Sequence, residues 1–165
     1  PSEVEQLDMH GVIIDFVQAM RPQGQLKGIE LRLCLEAENA MIAAAADTMR
    51  QVLLNGLLNA VDAIHTSGER GGVIELTTRQ ISKDDLPWLE ICLTDTGCGL
   101  APEHSDKIFD PFFTTKEPGA GTGLGLSVSL SLVEAMGGSM RALSREQGGM
   151  ALYIFLPQRQ IQANF

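Results

Sequence analysis

Asp95-Thr96-Gly97-Cys98-Gly99-Leu100 follows the apolar run Leu89 to Thr94 and sets one carboxylate ahead of two glycines. A carboxylate at a strand exit can accept a hydrogen bond from the amine of a flat heterocycle. Glycines let the backbone approach such a ring closely. By itself the stretch reads equally well as a simple Asp/Gly turn. Its neighbours decide between the two.

Upstream, residues 47–64 carry a helical pattern for which Asp47 is the expected N-cap. At about 100° per residue, Leu53, Leu57, Ala60, Val61 and Ile64 share one face. Gln51, Asn55, Asn59 and Asp62 fall on the opposite one. Such a polar stripe is commonly plain solvated surface, but Asn is a weak helix former and a poor choice for that purpose. Its neutral carbonyl oxygen suits a hard cation that already has phosphate oxygens around it.

Downstream comes Ile108-Phe109-Asp110-Pro111-Phe112-Phe113-Thr114-Thr115-Lys116, holding three of the six Phe of the chain in a stretch with little periodicity. The aromatic residues are expected to anchor this loop on the core, with Lys116 close to whatever the loop covers. Then Gly119-Ala120-Gly121-Thr122-Gly123-Leu124-Gly125-Leu126-Ser127 opens a helix. Glycines there let N–H groups point at a phosphate, and the helix N-terminus favours negative charge. The run is neither G-x-G-x-x-G, because Leu126 stands at the last Gly position, nor a Gly-Lys-Ser/Thr phosphate loop.

The rest of the chain supplies a frame. An apolar pattern from Val4 to Met20 predicts a first helix, stopped by Pro22 and Gly24. Alternation predicts strands at 29–36, 73–80 and 89–94, and a final hairpin of 139–145 and 150–156. Helices layered on one face of a mixed sheet, an α/β class of two-layer α+β sandwich, is the economical arrangement. Residues 1–157 are expected to form one domain, with 158–165 as a frayed tail.

With 12 Lys and Arg against 21 Asp and Glu, the net charge of -9 disfavours nonspecific nucleic-acid binding. Three cysteines without a CxxC pair argue against a disulfide framework or a cysteine metal site, and for a reducing, cytoplasmic setting. No stretch approaches the ~20 apolar residues of a membrane span. The chain opens at Pro1 without a Met and is read as a piece of something longer, whose membrane anchor, if any, lies outside this stretch.

In their order and spacing the four stretches resemble the N, G1, F and G2 boxes of the histidine-kinase catalytic domain, within the gyrase, Hsp90, histidine kinase and MutL superfamily. The resemblance implies a Bergerat-type ATP-binding fold with a mobile lid, and Mg²⁺ with ATP as cofactors. It implies Asn59 as the metal residue, with Asn55 one turn earlier ordering phosphates and metal, and Asp62 on the same stripe. It implies Asp95 as acceptor for the adenine amine, with Gly97 and Gly99 allowing close approach. Gly121, Gly123 and Gly125 would hinge the lid, with Thr122, Leu124, Leu126 and Ser127 beside them and Lys116 as phosphate cation. Asn55, Asn59 and Lys116 are thereby the catalytic candidates.

One departure from the wider superfamily bears on the chemistry. Its hydrolases place a Glu one turn before the metal-binding Asn as general base, and here that position is Asn55. Transfer to a supplied nucleophile is therefore expected rather than hydrolysis. None of His10, His65 and His104 opens the His-Glu/Asp pattern of an acceptor helix, and all three are expected at the surface, the last two in loops. The implied partners are a separate acceptor-histidine dimerisation domain and a response regulator, with the isolated chain monomeric. An anti-sigma-type serine kinase lacks the aromatic block, and a nucleotide-sensing module of the same fold is the remaining alternative.

Overall fold

The computed structural model of the chain describes residues 3–113 and 125–161. Along the chain come β1 (Glu5–Asp8), α1 (Met9–Met20), β2 (Ile29–Leu35), β3 (Met41–Ala44) and α2 (Ala46–Thr66). Then follow β4 (Gly72–Lys83), β5 (Leu86–Asp95), α3 (Gly125–Ala135), β6 (Ser139–Ser144) and β7 (Met150–Pro157). The main sheet has the order β2-β4-β5-β7-β6, and β1 with β3 makes a separate two-stranded ribbon. Within the main sheet β2 and β4 are parallel, joined across α2, and the other pairs are antiparallel. The mixed sheet expected from the sequence is the one observed.

The period-two pattern fixes which face is covered. Leu89, Ile91 and Leu93 of β5 and Leu152, Ile154 and Leu156 of β7 point into the core, beside Ile74 and Leu76 of β4. The expected stripe of α2 meets them, with Leu53, Leu57, Ala60, Val61 and Ile64 all buried. Burying each such Leu contributes about 2 kcal/mol. The opposite face of the sheet carries the bidentate Arg79–Glu90 pair, both bonds 3.1 Å, and the stacked rings of Tyr153 and Phe155. The tight β4–β5 hairpin is closed by Asp84 and Asp85, with φ of 52° and 60°. Two left-handed residues are what a two-residue hairpin turn matching the sheet twist requires.

Several elements differ from expectation, each for a physical reason. The first helix begins only at Met9, because the Asp8 carboxylate accepts from the His10 N–H and caps it. The residues before it pair with β3, Leu7 opposite Ile42, so Leu7 served a strand and Val4 stands exposed ahead of it. Asp47 is not the cap of α2 but lies in its first turn, paired with Arg50 at 2.8 Å. His65 sits in the last turn of α2 rather than in a loop. His10 is half-buried, with Nε2 2.7 Å from the Thr78 hydroxyl. The stretch after Pro157 is tied down at its start. The Gln158 side chain donates to the carbonyls of Asn39 and Met41, and the Arg159 carbonyl accepts from Gln6.

The cysteines separate by environment. Cys98 is exposed and Cys34 half-buried, whereas Cys92 is buried and burial pushes its thiol up to about 11. Thiolate is the reactive form. Iodoacetamide on the folded chain is therefore expected to label Cys98 first and to spare Cys92 until denaturant is added, as read by peptide mass mapping.

Candidate nucleotide site

Asp95 is the last residue of β5 and its side chain is fully buried. One carboxylate oxygen, Oδ1, accepts from the Gly97 N–H at 2.8 Å and from the Met150 N–H at 3.3 Å. The other, Oδ2, is buried with no partner among the described residues. Burial raises the carboxyl above its ordinary value, opposed by the Gly97 and Met150 N–H groups and then by the nearby Arg145 charge. An unsatisfied buried carboxylate oxygen costs free energy, and such an atom calls for a ligand or a role. It fits an amine donor brought by a bound molecule.

The loop after Asp95 is pressed onto α2. A Cβ on Gly97 would lie 2.4 Å from the Ala63 carbonyl carbon, so no side chain fits there. The Cys98 N–H then donates to the Ala63 carbonyl at 3.0 Å. Gly99 takes φ +75°, a left-handed conformation suited to Gly. Ala63 lies one helical turn beyond Asn59, so this seating brings the strand exit to the polar side of the same helix.

On that side Asn55, Asn59 and Asp62 are all half-buried. The Asn55 amide donates to the Gly125 carbonyl and to the Ser129 hydroxyl, each at 2.9 Å, while its oxygen accepts from Gln51. Asn55 thus ties α2 to the first turn of α3. A Glu at this position would turn a carboxylate on the Gly125 carbonyl, acceptor against acceptor. Asn59 makes no side-chain hydrogen bond among the described residues and keeps its carbonyl oxygen available.

Of the helix-opening residues, Gly125, Leu126 and Ser127 are in α3. Leu126 is buried in the core, so only its backbone could meet a ligand. Lys116, Gly121, Thr122, Gly123 and Leu124 lie outside the described residues. The aromatic anchor is smaller than expected. Phe109 packs on the core and Phe113 meets His104 edge-on, at 5.2 Å between ring centroids. Phe112 is 72% exposed with φ +66° and anchors nothing.

Four further residues at the site escaped the sequence reading: Ser129, Arg145, Gly149 and Met150. Ser129 stands one turn after Gly125, a spacing that a helical wheel of α3 could have paired with Asn55. Arg145 and Gly149 lie in the β6–β7 turn and Met150 opens β7, and nothing local in the sequence links them to Asp95.

The fold agrees with that of known proteins. The model of the histidine kinase-, DNA gyrase B-, and HSP90-like ATPase family matches residues 44–160. The chain is 34% identical to the sensor histidine kinase ZraS of Salmonella typhimurium over 154 residues, 93% of this chain and 31% of that protein. It is 38% identical to the two-component sensor PprA of Pseudomonas aeruginosa over 123 residues, 74% of this chain and 13% of PprA. The chain therefore spans less than a third of the length of these relatives. The structure of full-length ShkA in complex with AMPPNP superposes with a TM-score of 0.79 at 28% identity, covering 99% of this chain and 33% of that one. The nucleotide-free catalytic domain of histidine kinase ThkA gives 0.79 at 25% identity, covering 94% of this chain and 96% of that one. With the family model covering most of its length and its site built as described, the chain belongs to the histidine kinase-, DNA gyrase B-, and HSP90-like ATPase family.

Proposed function

We propose that this chain is the ATP-binding, phosphoryl-donating domain of a sensor histidine kinase. The observation that carries the reading is the Asp95 carboxylate, pinned at one oxygen by two backbone N–H groups and bare at the other. Its bare oxygen accepts from the adenine amine, while Gly97, pressed onto α2, and Gly99, in its left-handed turn, hold the strand-exit loop beside the ring.

Asn59 offers its carbonyl oxygen to Mg²⁺, which would neutralise charge on the phosphates. Among the described residues no group of three or more His, Cys, Asp or Glu side chains is placed to hold a metal. A divalent ion held by Asn59 would be shared with phosphate oxygens and water, as Mg²⁺ at nucleotide sites commonly is. Asn55 holds the start of α3 in place, and Gly125 and Ser127 present that helix start to the phosphates. Lys116, Gly121, Thr122, Gly123 and Leu124 complete the phosphate side in this reading, and Asp62 borders it.

Phosphoryl transfer depends mainly on positioning and charge neutralisation, so a donor domain needs no base of its own for the incoming nucleophile. Asn55 cannot take a proton from water. The nucleophile is an imidazole nitrogen on a separate acceptor domain, and the phosphoryl group passes onward to a response regulator. Residues 1–157 make up the catalytic domain, working in the cytoplasm, and the isolated chain is a monomer.

Incubation with labelled ATP and Mg²⁺ tests this. The chain alone is expected to take up no acid-labile phosphate, and an acceptor-histidine domain added to it is expected to become labelled. EDTA should abolish the labelling. Steady ATP hydrolysis without acceptor labelling would overturn the reading.

A further inference from the structure

The β5–β7 ladder ends with Thr94 opposite Ala151, so on that side the Asp95 carbonyl has no strand partner. Arg145 supplies one. Its Nη1 donates to the Asp95 carbonyl at 2.7 Å, in a half-buried contact across 50 residues of sequence. The Arg145 backbone meanwhile closes its own turn, N–H to the Gly149 carbonyl at 3.0 Å and carbonyl from the Gly148 N–H at 3.1 Å. That turn delivers the Met150 N–H to Asp95 Oδ1. Just before it, the Ser144 hydroxyl donates to the Leu100 carbonyl at the far end of the strand-exit loop. Gly149 lies so close that a Cβ would stand 1.9 Å from the Asp95 carbonyl oxygen. The turn thus grips Asp95 at both its backbone and its carboxylate.

We propose that Arg145 is a positioning residue of the nucleotide site, holding Asp95 so that its free oxygen faces the amine of a bound purine. This rests on the reading of Asp95 as the adenine acceptor. A merely structural Arg145 would support binding of every nucleotide alike. A positioning Arg145 acts on the one hydrogen bond that Asp95 makes to the base. Charge-assisted hydrogen bonds require close alignment of donor and acceptor, and loss of alignment removes most of their value.

The test compares ATP with purine riboside triphosphate, which has the same ring system, sugar and phosphates but no amino group. Affinities are read by titration calorimetry on the whole chain. For the wild type the amine is expected to be worth about tenfold or more in affinity, the usual size of a hydrogen bond to a charged group. Arg145→Met is expected to cut that ratio below about threefold while changing the affinity for the amine-free nucleotide little. Arg145→Lys, which keeps a donor and a charge, should retain most of the ratio. Arg145→Gln repeats the measurement and stands in for the methionine variant should that one fail to fold. An unchanged ratio, or an equal loss for both nucleotides, overturns the proposal. A wild-type ratio near one refutes the Asp95 reading itself, a result that no Arg145 variant can mimic.

Discussion

Asp95→Asn is expected to lower the affinity for ATP and ADP by about ten- to a hundredfold, the value of one hydrogen bond to a buried charged group. The local bonding dictates how the amide sits. Two N–H groups converge on the Oδ1 position, so the Asn oxygen must occupy it. Its NH₂ then takes the place of Oδ2 and faces the incoming amine, donor against donor. The same variant should not melt below the wild type without ligand. Burial raises the Asp95 carboxyl in the folded state, so the folded chain binds that proton more tightly than the unfolded one. The stability linked to this proton is present below the ordinary carboxylate range and lost as pH rises through the raised value. At neutral pH the ionised group is a cost that Asn does not carry. Calorimetric titration and thermal melts of one preparation check both arms, and a loss of binding accompanied by a large fall in Tm would contradict them.

Gly149→Ala is expected to destabilise the chain by about 3–5 kcal/mol, combining left-handed strain with overpacking. Gly149 has φ +83° and its missing Cβ would fall 1.9 Å from the Asp95 carbonyl oxygen, a backbone atom that cannot swing aside. A Tm lower by about 6–20 °C follows for a chain of this size. Gly148 provides the control. It has φ +94° but nothing within 4 Å, so Gly148→Ala carries only the conformational strain of about 1–2 kcal/mol. Chemical denaturation of the two variants side by side separates the contributions. Equal losses would mean that the close approach to Asp95 is relieved cheaply.

The sequence revealed most where a single period or a single residue carries the meaning. The α2 stripe was readable because Leu53, Leu57 and Ile64 repeat at helical spacing over about three turns, and the sheet because its inner positions alternate. Asp95 was readable only together with the other three stretches, since a carboxylate before two glycines reads equally well as a plain turn. The ribbon of β1 and β3 was not, since four-residue strands hold too few residues to show a period. Leu7 alone of Glu5–Asp8 is buried, and Met41–Ala44 runs almost directly into the Ala-rich start of α2. Phe112 misled because composition counts aromatic residues without knowing which way the backbone turns them. Arg145, Gly149 and Met150 were invisible because their partner Asp95 stands 50 to 55 residues away, where local pattern has no reach.

Those separations bear on how the chain acquires its pocket during synthesis. Contacts between distant segments form late, after the loops between them have closed, and domains are made from the N-terminus onward. When β5 has emerged from the ribosome, Asp95 lacks its Met150 N–H and its arginine clamp, and Asn55 has no α3 to hold. Until β7 has emerged, the purine pocket has no shape. Nucleotide capture therefore marks completion of the β6–β7 hairpin, and a bound nucleotide then stabilises only domains in which that hairpin has closed.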